Sequence, residues 1–330
     1  MLKLYRVLAH VVPILALLVI VKGAYVRLSD AGLGCPDWPR CYGHWVPTAG
    51  ADTDAGKQLA VRPLESGKAW REMLHRYLAS TLGFAIVLLA SIAWLKRADF
   101  PGSPHLALLL VPFVIVQGLL GMWTVTLLLK PLIVVAHLVG GLTIAALSWW
   151  NLMELRRWPR QVERTRLQIY AWFALVVLAV QIFLGGWTSA NYAALACTDF
   201  PKCQGQWWPP SDLKNAFVLW RGLGINYEFG ILDTPARTAI HAVHRYWAVL
   251  VCSVFVMLGV HTLRHAPPPG RRIAWCILVL LTLQVSLGIT NVLGGLPLPA
   301  AVLHNAVAAL LLLSVVTLVR YSRPLPRRLC

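Results

Sequence analysis

The chain has 330 residues, of which 58% are hydrophobic and only 13% are charged. A soluble domain of this size could not bury so much apolar surface, so the composition indicates that lipid is the solvent. The formal net charge is +17, but the basic residues cluster in short segments between apolar spans. They do not form a stripe interleaved with aromatic residues, which argues against a nucleic-acid partner.

Eight apolar stretches reach the length of about 20 residues that a helix needs to cross a hydrocarbon core. They cover residues 7–27, 77–95, 106–129, 131–153, 167–190, 240–263, 273–294 and 299–319. The first stretch begins after Lys3 and Arg6, continues past Lys22 and has no small-residue cleavage site. We therefore expect a retained first span rather than a signal peptide.

Arginines predict which side of the membrane each loop faces. The segment after the fourth span, the segment after the sixth span and the C-terminal tail contain Arg156, Arg157, Arg160, Arg164, Arg166, Arg264, Arg271, Arg272, Arg320, Arg323, Arg327 and Arg328. By the positive-inside rule these segments and both termini face the cytoplasm. The two long loops, at about 28–72 and 191–239, then lie outside the cytoplasm.

The sequence contains an internal duplication. An offset of 162 residues aligns residues 23–47 with 185–209, and 10 of the 25 positions are identical. Further pairs keep the same order: His75, Arg76, Tyr77, Gln117, Gly121 and His137 recur as His244, Arg245, Tyr246, Gln284, Gly288 and His304. The matches are Cys, His, Arg, Asp, Pro and Gln, which a shared hydrophobic composition does not produce.

The duplication and the eight spans together predict the fold class. We expect an all-α polytopic membrane protein with eight transmembrane helices in two tandem four-helix bundles. The first bundle would comprise residues 1–160 and the second residues 161–330. Because each half has an even number of spans, a pseudo-two-fold axis along the membrane normal should relate the two halves.

Four of the ten histidines occupy equivalent places in the two halves: His75, His137, His244 and His304. Each is expected within the first two turns or so of a helix that descends from the outer face, so all four lie at similar depth. Helices two and four of each half can point these rings at one another, as bis-imidazole ligation of haem requires. A single buried histidine usually forms an interhelical hydrogen bond. Four histidines at equivalent positions of the two halves instead indicate a functional role.

Zinc is an alternative metal for these histidines. Each half offers only two histidines and at most one carboxylate, without HExxH-type spacing, so haem fits the pairs better. The histidines without an equivalent in the other half are interpreted as packing or surface residues: His10, His44, His105, His261 and His265.

Charged residues flank the first histidine of each pair. Arg76 and Arg245 directly follow it at the membrane boundary, where each could bind a haem propionate or extend to the interface. Glu72 stands three residues before His75, whereas the equivalent residue of the second half is His241. A carboxylate beside one site only suggests proton-coupled chemistry there, and an ordinary interfacial glutamate is the alternative.

Two cysteine pairs lie in the outer loops, Cys35 with Cys41 and Cys197 with Cys203, on the side where disulfides persist. Each pair encloses five residues including a proline. We expect a mainly structural disulfide in each half, and a labile redox pair is the alternative. The first pair is the candidate redox participant because it shares its half with Glu72. Three further cysteines are expected to be unpaired: Cys252, Cys276 and Cys330.

Taken together, these residues resemble the haem A synthases of bacteria and mitochondria. The resemblance covers nearly the whole chain. Its most specific parts are GAYVRLSDAGLGCPDWPRC at 23–41, EMLHR at 72–76, AHLVGG at 136–141, HRY at 244–246 and LHN at 303–305. It implies oxidation of the C8 methyl of haem O to a formyl group, by two successive hydroxylations and loss of water, to give haem A for cytochrome oxidase.

The resemblance also implies roles for individual residues. His75 and His137 would flank the substrate haem O, with Glu72 as the catalytic carboxylate. His244 and His304 would hold a haem b cofactor that transfers electrons. Implied partners are the lipid bilayer, the farnesyltransferase that makes haem O, cytochrome oxidase assembly factors and an unidentified electron acceptor. The implied location is a bacterial inner membrane, with cytoplasmic termini and periplasmic cysteine loops.

Two other functions are compatible with parts of this pattern. A di-haem quinol or cytochrome electron-transfer protein would also need four histidines. A transporter is suggested by the repeats and by prolines near helix starts, but the special residues cluster near one surface rather than at mid-membrane. No flavin or nucleotide fingerprint occurs in the chain, so haem would have to supply the redox chemistry.

Overall fold

The structure is a computed structural model that describes residues 1–47, 63–98, 104–159 and 166–324. Within these ranges the chain is helical, and its only extended pairs are two isolated β-bridges, Cys41 with His44 and Cys203 with Gln206. The helices are α1 (Leu2–Leu28), α2 (Ser66–Leu95), α3 (His105–Thr126), α4 (Pro131–Leu155), α5 (Arg166–Ala190), the short α6 (Leu213–Ala216), α7 (Thr234–His265), α8 (Pro268–Leu293) and α9 (Leu298–Tyr321). All of these except α6 are long and apolar enough to cross a membrane. The predicted all-α polytopic membrane fold is confirmed.

Proline and aspartate residues mark where helices begin. Helices α4, α7, α8 and α9 each have a proline in the first turn, where the missing N–H group would lack an intrahelical partner anyway. The side chain of Asp233 caps α7 by accepting a hydrogen bond from the N–H of Ala236 at 3.1 Å. Pro13 and Pro112 lie inside α1 and α3, as membrane helices tolerate.

Helices α1, α2, α7 and α8 begin five or more residues earlier than the hydrophobic pattern predicts. Helix α2 begins at Ser66 rather than at 77, and α7 begins at Thr234 rather than at 240, because their first turns are polar and leave no hydrophobic signal. His75 is therefore nine residues into α2 and His244 is ten residues into α7. The expectation that each lies within about two turns of its helix start was wrong for these two residues, and α6 was not predicted.

The helices pack mainly within each half of the chain. Helices α1 and α3 each contact α2 and α4, while α5 and α8 each contact α7 and α9. Contacts of α1 with α9 and of α4 with both α5 and α9 join the two sets. Two apolar clusters are each formed mainly by one set, with Leu142 and Met153 of α4 in the cluster of the second set and Leu313 of α9 in that of the first. The division into two bundles at 160/161 stays a prediction, and that boundary lies outside the described residues, as do Arg160, Arg164, Arg327, Arg328 and Cys330.

Candidate functional site

His75 on α2 and His137 on α4 face each other across the first set of helices. Their ring centroids are 6.5 Å apart and their planes meet at 83°. Two imidazole nitrogens, each about 2 Å from one shared metal ion, would put the ring centroids roughly 6 Å apart. The gap therefore suits one metal ion bound between the two rings.

Each of these two rings packs against a glycine of a neighbouring helix. A Cβ atom on Gly23 of α1 would lie 2.9 Å from Cε1 of His75, and one on Gly121 of α3 would lie 3.3 Å from Cε1 of His137. Only a residue without a side chain lets the ring approach the helix so closely. The two glycines therefore set how far each imidazole can turn away from the gap.

The second half repeats this contact with equivalent residues. A Cβ atom on Gly185 of α5 would lie 3.1 Å from Cε1 of His244, and one on Gly288 of α8 would lie 3.3 Å from Cε1 of His304. The same helix positions hold the same ring atom in both halves. The duplication thus extends from the histidines to the surfaces that orient them.

The Nδ1 atoms of all four rings are buried and form no hydrogen bond with the described residues, although each histidine as a whole is only half buried. The exposed surface of each histidine therefore belongs to atoms other than Nδ1.

Two equivalent glutamines have different partners. The side-chain amide of Gln117 donates to the backbone carbonyl of His137, whereas the amide of Gln284 lies 3.2 Å from the imidazole Nε2 of His304. The Nε2 atom of His304 is thus occupied by a protein group. In the same half, the side-chain amide of Gln181 donates to the backbone carbonyl of His244 at 3.3 Å.

Glu72 is buried against the first disulfide loop. Its Oε2 atom accepts a hydrogen bond from the N–H of Cys35 at 2.9 Å, and its Oε1 atom pairs with the guanidinium of Arg76 at 2.5 Å. Both oxygens of the carboxylate therefore have a donor. The side chain that is three residues from His75 anchors the loop to α2.

His241 occupies the equivalent place in the second half and meets the equivalent donors. Its Nδ1 atom is 3.2 Å from the N–H nitrogen of Cys197, and its Nε2 atom is 3.2 Å from Nε of Arg245. A neutral imidazole accepts at only one ring nitrogen, whereas a carboxylate accepts at both oxygens. The same anchor is therefore built twice, and only Glu72 can satisfy both donors.

The two arginines bind the disulfide loops. Arg76 donates to the carbonyls of Asp37 at 2.9 Å and Arg40 at 2.8 Å. Arg245 donates to the carbonyls of Asp199 at 2.8 Å and Cys197 at 2.9 Å, among others. The planar guanidinium suits several carbonyl acceptors at once. Their predicted contact with haem propionates stays a prediction, because these donors are directed to the loops.

A disulfide closes a loop in each half, Cys35 with Cys41 and Cys197 with Cys203. Next to each disulfide an aspartate accepts two backbone N–H groups, and Asp199 accepts those of Gln204 and Gly205 at 2.7 and 2.9 Å. The N–H of Gly205 makes the largest contribution to holding the pKa of Asp199 below its ordinary value. Cys252 and Cys276 are free, as predicted.

A family model described as cytochrome oxidase assembly protein matches residues 6–316. The chain belongs to this family. Similar curated proteins include a haem A synthase of Shewanella oneidensis, which is 45% identical over 94% of both chains. Haem A synthases of Rhizorhabdus wittichii and Halalkalibacterium halodurans are 28% and 27% identical, over 91% and 89% of this chain and 89% of each relative.

The family match makes haem the group to test against these residues, and the donor chemistry fits it. His75 and His137 offer two imidazoles on opposite sides of a gap of suitable width. Among the described residues, no three or more His, Cys, Asp or Glu side chains come together as a metal site. The histidine pairs thus offer the two axial ligands that a macrocycle needs rather than the four of a structural zinc ion.

Sequence reasoning missed several residues of the site. The repeat alignment already contained Gly23, Gly121, Gly185 and Gly288, but their spacing did not reveal that they contact histidines. It also pairs Asp37 with Asp199, without an evident role. The remaining histidines lie elsewhere: His10 contacts Arg156, and His261 lies against His265 and Tyr170.

Proposed function

We propose that this chain is a haem A synthase. In this proposal it oxidises the C8 methyl of haem O to a formyl group, by two successive hydroxylations and loss of water, and delivers haem A for cytochrome oxidase. The observation that carries the proposal is the opposed pair of His75 and His137, whose 6.5 Å ring separation suits one haem iron. Its relative of 45% identity carries the name haem A synthase.

The two halves would divide the work. His75 and His137 would hold the substrate haem O within residues 1–160, and His244 and His304 would hold a haem b within residues 161–330. Bound haem supplies the electron-transfer chemistry for C–H oxidation. In the second half, the amide of Gln284 would leave Nε2 of His304 and turn to a backbone carbonyl, as the amide of Gln117 does in the first.

The contacts around the rings support this ligand role. The Nδ1 atoms of His75 and His137 are buried, so the Nε2 atoms are the ones that would bind the metal. The glycines that contact the two rings keep that orientation because they leave little space behind them.

Glu72 is our candidate for proton transfer at the substrate. Converting a methyl to a formyl group removes protons together with electrons, and a nearby carboxylate can accept them. The anchoring contacts of Glu72 to Cys35 and Arg76 are matched in the second half by those of His241. What distinguishes the first half is therefore the carboxylate and not the anchor.

The surroundings of the reaction follow from the same proposal. Both termini would be cytoplasmic and the disulfide loops periplasmic, by the distribution of arginines. Haem O would arrive through the bilayer from the farnesyltransferase that makes it, with its farnesyl tail along lipid-facing helix surface. An electron acceptor and cytochrome oxidase assembly factors would complete the pathway.

Substitution at the two equivalent positions tests the role of Glu72. Glu72→His would copy the anchor of the second half and remove the carboxylate, so we expect haem A formation to be lost while the protein folds. His241→Glu is the matched control and should keep haem A formation. Glu72→Ala should also abolish the reaction and leave the spectrum of the second-half haem intact. Normal haem A formation by Glu72→His would refute the proton-transfer role.

Pigment analysis of the purified protein separates the synthase from a di-haem electron-transfer protein. The synthase should contain haem b with sub-stoichiometric haem O or haem A. Two equivalents of haem b with no change in haem structure would favour electron transfer. A protein that binds no haem would reject both.

A further inference from the structure

Two cations of the first half, Lys22 and Arg71, lie near the same aromatic ring. The ammonium nitrogen of Lys22 is 4.9 Å from the ring centroid of Tyr25, and the guanidinium carbon of Arg71 is 5.5 Å from it. Both side chains are half buried. Neither forms a salt bridge with a carboxylate of the described residues. We call Lys22 and Arg71 the outer cation pair.

The outer cation pair flanks His75. Lys22 directly precedes Gly23, the residue that contacts the imidazole. Arg71 lies four residues before His75 on α2, which is the same helix face one turn nearer the start of the helix. Lys22 and Arg71 are both positively charged and lie near the same ring, that of Tyr25. Two like charges held this close in a half-buried position favour an anion between them.

The second half has apolar residues at the three equivalent positions. Leu184, Trp187 and Ile240 correspond to Lys22, Tyr25 and Arg71, and all three are buried. Trp187 and Ile240 belong to an apolar cluster against α4. The duplication therefore carried the histidines and the loop anchor into both halves, but the cation pair exists at one site only.

The other nearby arginine is already engaged. Arg76 donates to loop carbonyls and pairs with Glu72, so its guanidinium has partners within the protein. Lys68, one turn farther out on α2 than Arg71, pairs with Glu65 at 2.8 Å. Of these cations near His75, the outer cation pair alone forms no salt bridge with a carboxylate in the part of the chain that the structure describes.

We propose that the outer cation pair binds the propionate carboxylates of the substrate haem in the first half. This inference rests on the proposed function, because it needs a haem between His75 and His137. In haem the C8 methyl and one propionate are substituents of the same pyrrole ring. Holding the propionate edge at the outer cation pair would therefore place the two propionate-bearing pyrrole rings, one of which carries the C8 methyl, at that end of the site.

The outer cation pair would orient the haem in the first site, and the second site has no equivalent charges. A substrate haem must enter, present its propionate edge in one direction and leave as product. Contacts to the propionate carboxylates distinguish the propionate edge of the macrocycle from the opposite edge. Imidazole ligation alone does not, because it contacts only the central iron. A permanently held haem in the second half can rely on the buried apolar packing around Trp187 and Ile240.

The test compares haem binding with and without free carboxylates. The purified protein, in nanodiscs of phosphatidylcholine, is titrated with ferric protoporphyrin IX and with its dimethyl ester while the Soret band is followed. A variant with His75→Ala identifies the signal of the first site. We expect the diacid to bind that site at least about tenfold more tightly than the diester. Lys22→Gln with Arg71→Gln should remove this preference.

Matched variants separate charge from fold. Lys68→Gln removes a paired cation on the same helix and should keep the preference, and Arg71→Lys should keep it within about threefold because the charge remains. Equal affinity of the parent protein for diacid and diester would overturn the inference, even if the double variant failed to fold. So would a double variant that keeps the preference.

Two further outcomes are distinguishable. If no Soret change depends on His75, the proposed haem site itself is wrong. If the double variant loses only its affinity for phosphatidylglycerol and keeps the preference for the diacid, the cation pair binds a lipid headgroup and the haem assignment is wrong. Loss of the diacid preference with unchanged lipid affinity supports the propionate assignment.

Discussion

The close contact between Gly23 and His75 predicts that a single methyl group will disturb one haem site. In Gly23→Ala the new Cβ would lie 2.9 Å from Cε1 of His75, and ordinary contact begins at 3.4 Å, so the ring or the helix must move by about 0.5 Å. That displacement equals the tolerance within which a ligand geometry must be held. Overpacking of this kind costs about 1–3 kcal/mol.

We expect this cost to appear in haem binding at the first site. If the whole cost falls on ligation, affinity drops roughly 5- to 150-fold. Titration with ferric protoporphyrin IX measures it, since loss of one imidazole ligand also changes the Soret and visible bands. Gly185→Ala should cause the same loss at the second site, where the Cβ would lie 3.1 Å from His244.

Gly118→Ala is the matched control. Gly118 lies on α3, one turn before Gly121, and a Cβ atom there would meet nothing within 4 Å. Replacing a helical glycine in open space should stabilise the helix by about 0.5–1 kcal/mol and leave haem affinity unchanged. Unchanged affinity in Gly23→Ala, or an equal loss in Gly118→Ala, would refute the idea that these glycines orient the ligands.

Two predictions concern the outer surface. Because its folded pKa lies below the ordinary value, ionised Asp199 contributes stability above about pH 4 that is lost as the pH falls through the folded pKa. The exchange protection of the amides of Gln204 and Gly205 should fall there, and Asp199→Asn should remove that dependence; a variant that keeps it would contradict the assignment. Lys130 is buried, donates to the carbonyl of Gly222 at 2.8 Å and lies 3.7 Å from the Trp220 ring centroid. Lys130→Met should cost about 2 kcal/mol and raise protease cleavage within residues 217–233 roughly 30-fold, whereas the exposed Lys214→Met should not; equal cleavage in both would contradict the role.

Much of the fold could be predicted because lipid imposes a simple rule on the sequence. Each spanning helix needs a long apolar stretch, and all eight were found this way. The starts of α2 and α7 were missed because their first turns, at Ser66 and Thr234, extend beyond the apolar stretch. A helix that continues into the outer loop leaves no hydrophobic signal of where it begins.

The candidate site was predictable in part, through the duplication. Equivalent positions identified His75 and His137 as a pair, and the structure brings their rings together. Which residue packs behind each ring depends on how the helices rotate about their axes, and hydrophobic periodicity does not define that rotation in a helix surrounded by apolar neighbours. Gly23 could therefore be seen to recur, but not to contact His75.

The side chain of Arg76 illustrates a different limit. Its position at the membrane boundary suggested a haem propionate as partner, yet its donors go to the carbonyls of a loop that the disulfide brings back over α2. A charged residue close to a site in sequence can be committed elsewhere by a turn many residues away. Only the hydrogen-bond partners distinguish Arg76 from Arg71, which lies on the same helix.

Comparison of the two halves separates what both proposed haem sites would need from what the proposed reaction would need. The histidines, their glycines and the arginine that anchors the loop occur twice, so ligation and loop closure account for them. Glu72, Lys22 and Arg71 occur once, and their equivalents are an imidazole and two buried apolar side chains. A residue that only held the fold or a haem should survive exchange between halves. The chemistry of a substrate that must be oriented, deprotonated and released should therefore depend on these three residues.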